Sequence, residues 1–381
     1  MAELDPQRQE KAKDYARRMR RLSFLELGLG FFFVLILLFT PLSLSLRNLL
    51  DFPKPLQVAL YFATLMICLG IVSAPLSFYG GFVLPRRFGI STQNLRGWLL
   101  DEAKGGVLGL LLGIGVMVFI YWLLGSFPDL WWLFAACFLI LLTVVMTNLA
   151  PIIIVPLFYK LEPLADEGLM ERLVRLAERA KTKVRGVFTI NLSSKATSGN
   201  AALMGLGNTR RIVLGDTILD RYSPEEIEAI MAHELGHHVH RDIAKLIALQ
   251  SATILAGFYL VHLVLRVSVP YFDFNGIDDV AAFPLLALVA GAFALLLEPL
   301  SNAYSRYQEG SADEYALALT DNPEGFITVM TKLTNQNLSE AQPSRWVELL
   351  FYDHPPYFKR VARAQHYEDN LVDSEGQSRA E

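Results

Sequence analysis

The chain has 381 residues, 53% of them hydrophobic, and a formal net charge of −4. That apolar content, with a positive mean hydropathy, excludes an ordinary soluble enzyme, and the charge offers no footprint for a nucleic-acid partner. Two cysteines, Cys68 and Cys137, lie inside long apolar runs, which excludes a disulfide framework or a cysteine-based metal site and suggests packing residues.

The first 22 residues are polar and basic, with Lys11, Lys13, Arg17, Arg18, Arg20 and Arg21. They are read as an amphipathic helix lying on a membrane surface. The apolar run at 24–46 is too long for a signal-peptide core and is read as a retained first span. Further spans are expected at 56–83, 106–124 and 130–157, then at 243–269 and 281–300, each able to cross ~30 Å of hydrocarbon. Six transmembrane helices make the fold mainly α and polytopic.

Charge sets the orientation. The tail and the loop after the second span, with Arg86, Arg87, Arg96 and Lys104, are basic. The turn 125–129 and the loop 270–280 contain no basic residue, although the first loop holds Arg47 and Lys54. Basic loops mark the cytoplasmic side, so both termini and both soluble stretches are expected there. Trp131 and Trp132 suit an interfacial aromatic belt, and Glu298 the interfacial end of a span or the lining of a water-filled cavity.

The first soluble stretch, 159–242, mixes helix and strand. Residues 166–181 carry apolar positions at helical spacing, 187–191 and 212–214 read as strands, and 199–206 reads as an edge strand turning at Gly207 and Asn208. Ser223 then caps a helix with Pro224 in its first turn and Glu226 closing a capping box. That helix carries His233, Glu234, Leu235, Gly236 and His237, an HExxH run. Residues four apart share a helical face, so both imidazoles can meet one ion, with Glu234 beside them to take a proton from water. His238 and His240 point away from that face and are read as surface or cleft-lining residues.

The second soluble stretch begins at residue 301. It offers Glu309 and Asp313, again four apart. One carboxylate can complete the metal site while the other accepts the distal N–H of a ligating histidine. His237 lies six positions before residue 243, and Glu309 nine after residue 300, so the ion would sit roughly 10–14 Å from the membrane boundary. Chemistry there would act on a membrane-held substrate. Composition suggests a disordered tail beyond Tyr367.

HELGH followed by SRxxExxAD resembles the integral-membrane zinc metalloprotease family that contains the type I CAAX prenyl proteases and the heat-shock protease HtpX. Residues 193–216 are similar to that family's SNAY-type edge strand and the strand after it. His354, Pro355 and Arg360 resemble its HPxxxxR element. The likeness runs from about residue 156 to 363. GNAA replaces the usual Asn-Ala-Tyr, and His238 stands where the prenyl-protease branch often has Trp. Six spans compare with seven in the eukaryotic prenyl proteases.

The resemblance implies a zincin-like (gluzincin) α+β catalytic domain assembled from two cytosolic segments. It also implies one Zn2+ on His233, His237 and Glu309, with Glu234 as general base and Asp313 behind the ligands. Asn200 and Ala201 would lie on the strand along which a peptide pairs. His354 would sit near the developing oxyanion, and Arg360 would support the cleft. The chain is therefore expected to occupy domains 1–158 (tail and four spans), 159–242, 243–300 (two spans) and 301–381. It is expected to cut peptide or membrane-protein substrates, possibly prenylated, in contact with the lipid bilayer. Compact size and the lack of an organellar signal favour a bacterial inner membrane over the endoplasmic reticulum. The competing reading is a transporter or channel whose cytosolic cap binds zinc structurally, which a closed fourth ligand would favour.

Overall fold

The computed structural model describes residues 3–205 and 210–378, with side chains to residue 370. Its helices in chain order are α1 (Pro6–Phe39), α2 (Leu42–Leu49), α3 (Lys54–Phe78), α4 (Leu84–Arg87), α5 (Leu95–Ser126), α6 (Trp131–Ile153) and α7 (Val155–Phe158). Strand β1 (Leu161–Pro163), α8 (Glu167–Arg179), β2 (Val187–Ile190), β3 (Ala201–Met204), β4 (Arg211–Gly215), α9 (Asp216–Leu219) and α10 (Pro224–Val239) follow. The chain finishes with α11 (Asp242–Ser268), α12 (Phe283–Thr320), α13 (Pro323–Gln336), α14 (Arg345–Phe351) and α15 (Tyr357–Ser378).

Among the described residues, six helical stretches are long and apolar enough to cross a bilayer: Pro6–Phe39, Lys54–Arg87, Leu95–Ser126, Trp131–Phe158, Asp242–Tyr271 and Val280–Thr320. The first differs from expectation. Instead of a separate surface helix, the basic tail and the apolar run form one 34-residue helix capped by Asp5, whose side chain accepts from the Gln7 and Arg8 amides. No proline interrupts it after Pro6, and its basic turns are held by the end of α13 and the stretch that follows it. Arg8 Nε donates to the Asn335 carbonyl at 2.7 Å, and Arg20 pairs with Glu340 at 3.3 Å.

Contacts between loops sort the two ends of the bundle. Arg47 pairs with Asp279, which is 3% exposed, and Lys54 pairs with Asp278 at 3.0 Å. The two cations of the first loop are thus answered by acids of the loop between α11 and α12. Arg266 reaches Asp129 at 3.2 Å on the turn before α6. At the opposite end, Ser91 bridges to Ala196, and Thr92 Oγ1 donates to the Ser193 carbonyl. The N-terminus and the loop before α5 therefore share one side with both soluble stretches.

Trp131 does not belong to an interfacial belt. It is fully buried, and its Nε1–H donates to His262 Nδ1 at 3.1 Å, because α6 packs along α11 and brings the two residues together. An indole N–H buried among helices needs such an acceptor. Cys68 and Cys137 are exposed on their helices rather than packed.

The small sheet has the order β1-β2-β4-β3. Strand β2 runs parallel to β4, while β1 and β3 are antiparallel to their neighbours. The hairpin reading of β3 and β4 holds, with Ala201 opposite Leu214 and Met204 opposite Arg211; its expected turn at Gly207 and Asn208 lies outside the described residues. Strand β3 is an edge. Helix α8, started by an Asp166 cap, and α10 pack on the sheet. Leu173, Ile212, Leu214, Ile218, Met231 and Phe326 lie in one fully buried core. Helix α12 is continuous from the membrane into that core, despite Pro299 and Gly310. Helix α15 continues past Tyr367 to Ser378, where composition had suggested an unstructured tail.

Candidate metal centre and active site

Helix α10 starts as its sequence dictates. Ser223 Oγ accepts from the Glu226 amide, and the Glu226 carboxylate accepts from the Ser223 amide. It crosses α12 closely at Gly236, where a Cβ would meet the Ala312 Cα at 3.0 Å and the Ala312 carbonyl at 3.2 Å. This approach brings the histidine face of α10 against the carboxylates of α12. His233 Nε2 lies 3.2 Å from Glu309 Oε2, and His237 Nε2 lies 3.3 Å from Glu309 Oε1. The two Nε2 atoms are 3.3 Å apart, with the rings nearly perpendicular. These are the three residues whose ligand atoms gather within 4.8 Å of one another.

The outer nitrogens decide what the inner ones can do. His233 Nδ1 is 3.0 Å from Asp313 Oδ1, and His237 Nδ1 is 3.0 Å from Asp242 Oδ2. An ionised carboxylate only accepts, so each Nδ1 carries the hydrogen and each Nε2 turns a lone pair inward. Both lone pairs face Glu309, and its buried Oε2 has no hydrogen-bond donor. Short distances between acceptors that lack a hydrogen describe a cradle for a cation. Burial opposes charge on His233, but Asp313 and Glu309 still raise it to about 9, so the acids draw positive charge into the cradle. With two ring nitrogens turned inward and a carboxylate oxygen without a donor, the donor set fits a metal ion.

Glu234 lies one residue along from His233 and lines a cleft of about 230 Å³ with His237, His238 and Glu309. Burial pushes its carboxyl up, against the pull of His233 and His237. His238, read as a surface or cleft-lining residue, shares this cleft, whereas His240 stacks edge-on to Tyr315. From the sheet, Leu203 and Gly205 reach the cleft. Asn200 and Ala201 stand at the start of the same strand, with Ala201 in the core and the Asn200 carbonyl accepting from the Gly215 amide.

His354 comes in from the segment between α14 and α15. Its Nε2 is 3.1 Å from Glu309 Oε1 and its Nδ1 is 2.9 Å from Asp353. Asp353 and Glu309 together raise it to about 10. Arg306 fixes that segment by donating to the carbonyls of Glu348 and Tyr352. Arg360 turns away from the cleft. Its Nε donates to both Asp313 oxygens at 3.0 and 3.1 Å, and Arg363 adds a further bond at 3.2 Å. The arginines thus secure the acid behind His233.

Sequence reasoning missed two contributors, Asp242 and Arg306. Asp242 is 3% exposed and is brought back onto His237 by a left-handed turn at Arg241, where φ is 57°. An acid five residues beyond the second histidine, at the start of the next helix, was the available signal. Arg306 sits in the SRxxE run but points to the His354 segment.

Membrane-spanning helices joined to a two-histidine, one-carboxylate centre define a membrane metallopeptidase. A family profile described as peptidase family M48 matches residues 163–368, and one described as CAAX prenyl protease N-terminal, five membrane helices, matches residues 1–160. An uncharacterized metalloprotease, YhfN of Bacillus subtilis strain 168, is 30% identical over 366 residues, covering 94% of this chain and 85% of its own. A CAAX prenyl protease 1 homolog of Oryza sativa subsp. japonica is 29% identical over 314 residues, covering 81% and 73%. The crystal structure of S. mikatae Ste24p superposes with a TM-score of 0.84 at 23% identity, covering 95% of this chain and 90% of that one, and so shares the fold. The chain belongs to peptidase family M48 and is a multi-pass membrane metalloendopeptidase. These matches support the peptidase and not the transporter reading. Within 1–160 four helices here are long enough to span; α2, at eight residues, extends only about 12 Å.

Proposed function

We propose that this chain is a zinc-dependent endopeptidase acting at the cytoplasmic face of a bacterial inner membrane on membrane-held substrates: lipidated, CAAX-like tails or misfolded membrane proteins. In this reading residues 1–158 and 243–300 form the membrane part, and 159–242 with 301–381 form the catalytic part. The observation that carries it is the convergence of His233 Nε2, His237 Nε2 and the Glu309 carboxylate beside Glu234. A tetrahedral zinc site with arms of about 2.05 Å has ligand-to-ligand edges of about 3.3 Å. The two Nε2 atoms, 3.3 Å apart, match one such edge, and the Glu309 carboxylate supports the same ion by offering Oε2 to His233 at 3.2 Å and Oε1 to His237 at 3.3 Å. The relatives named CAAX prenyl protease 1 support a lipidated peptide as one substrate class. The basic N-terminal tail, on the same side as the catalytic segments, supports the cytoplasmic assignment.

Zinc, when held by His233, His237 and Glu309, supplies a Lewis acid that polarises the peptide carbonyl and acidifies water. Asp313 and Asp242 fix the tautomers that keep the histidine lone pairs inward. Glu234 takes the proton from the attacking water and returns it to the leaving amine. His354, kept protonated by Asp353 and Glu309, donates to the oxyanion as it forms. The free edge of β3, which includes Ala201 and starts beside Asn200, receives the peptide as an added strand, and Leu203 and Gly205 carry it past Glu234. Arg360 contributes by holding Asp313.

The test is a Glu234→Gln protein purified with its metal. It should retain zinc at parental stoichiometry and lose cleavage of a membrane-tethered reporter. Parental turnover by that variant would sink the mechanism.

A further inference from the structure

The cleft at Glu234 does not end at the catalytic segments. Leu246 of α11 lines both that cleft and a larger cavity of about 920 Å³ between α11, α12 and the Leu27 turn of α1. On α12 the lining passes from Gln308 and Ser305 in the cleft to Ser301 and Glu298 in the cavity. One furrow therefore follows α12 from the active site into the membrane part. Six leucines form the largest share of the cavity wall, with Gln250, Thr253, Ser301 and Asn302 among the rest, and Glu298 stands in it, exposed, at the inner end of a span.

At the interfacial end of a span, in a wall rich in leucine, a carboxylate keeps its charge best beside a cation or water. Among the described residues Glu298 makes no ion pair. Pro299 follows it inside the helix. Proline has no N–H to give, so the carbonyl of Leu295, one turn back and also on the cavity wall, lacks its helical donor. Leu295, Glu298 and Asn302 all line that cavity. All of this favours a ligand that brings positive charge and N–H donors.

We propose that Glu298 is a specificity-determining residue that binds a lysine or arginine side chain of the substrate as its chain lies in the furrow. This rests on the peptidase reading above. Eleven helical residues separate Glu298 from Glu309, a distance of about 16 Å. An extended peptide covers that distance in about five residues. The preferred cation therefore lies about five residues from the scissile bond, on one side of it.

The experiment uses full-length zinc-loaded protein in liposomes and a series of membrane-tethered peptides with a single lysine moved along an otherwise neutral sequence. Parental protein should favour lysine over glutamine at one position, four to six residues from the cut, by about tenfold in kcat/KM, a charge-assisted contact's worth. Glu298→Gln should erase that preference while cutting the glutamine peptide at the parental rate. Glu298→Lys should favour glutamate at the same position, an exchange that a merely structural role would not produce. Should Glu298→Lys fail to insert, the comparison of the parental and Glu298→Gln proteins still decides. Equal cleavage of lysine and glutamine peptides by the parental protein, or a preference that survives Glu298→Gln, overturns the inference alone. Absence of cleavage of every peptide by zinc-loaded parental protein overturns the peptidase reading and this inference with it.

Discussion

Asp242 Oδ2 lies 3.0 Å from His237 Nδ1 although the two residues belong to different helices. Helix α10 ends at Val239, and α11 begins with Asp242 itself. The left-handed residue Arg241 bends the chain between them, so the first residue of a membrane helix orients an imidazole of the metal centre. Asp242→Asn keeps the size but can present an N–H to Nδ1, favouring the wrong tautomer. We expect metal affinity to fall by about 10- to 100-fold. Competition with a fluorescent chelator measures it, and unchanged affinity would deny Asp242 this role.

Gly236 sets the spacing between α10 and α12. Gly236→Val places carbon where the Ala312 backbone already stands at 3.0–3.2 Å. The helices must separate by several tenths of an ångström, carrying His237 away from Glu309. Bound zinc per chain and cleavage should both fall sharply. Gly291→Ala is the control on the facing helix. Nothing lies within 4 Å of its new carbon, and zinc content should stay near parental.

Removing the ion should be reversible. Dialysis against a strong chelator should abolish cleavage of a tethered reporter, and stoichiometric zinc should restore it. Glu309→Gln should not regain it at the same zinc concentration, because the lost negative charge was the only one among the three ligands. Elemental analysis of the reconstituted proteins checks this directly.

The buried pair at the other end of the bundle should report on stability alone. Asp279 accepts from the Asn275 and Ala281 amides as well as from Arg47. Arg47→Ala leaves a buried carboxylate short of its cation, at a cost of about 3 kcal/mol. The melting temperature in detergent should drop, with zinc content unchanged at temperatures below the transition. The double variant Arg47→Ala/Asp279→Ala should melt above the single one.

The cluster of His233, His237 and Glu309 was readable because it rests on helical periodicity. His233 and His237 are one turn apart, as are Glu309 and Asp313, and spacing four places each pair on one face. The six spans were readable from apolar length. What escaped depends on contacts between elements. Asp242 acts through a turn at Arg241 that breaks periodicity, and Arg306 acts on the backbone of a segment over forty residues away. Trp131 looked interfacial by position, yet an acceptor on α11 draws it inside. The continuity of α1 was available in principle, since nothing after Pro6 stops the helix. The change from basic to apolar composition was mistaken for a break.

Helix α12 makes Glu309 part of the same rod as Phe283, about 39 Å away by helical rise. Bilayers of different thickness are accommodated partly by tilting such rods. A tilt of only about two degrees about the far end displaces the Glu309 backbone by about 1.4 Å relative to that end, by the same rise. His233 and His237 ride on a separate, shorter helix, so lipid composition has a mechanical lever on how tightly the three ligands close.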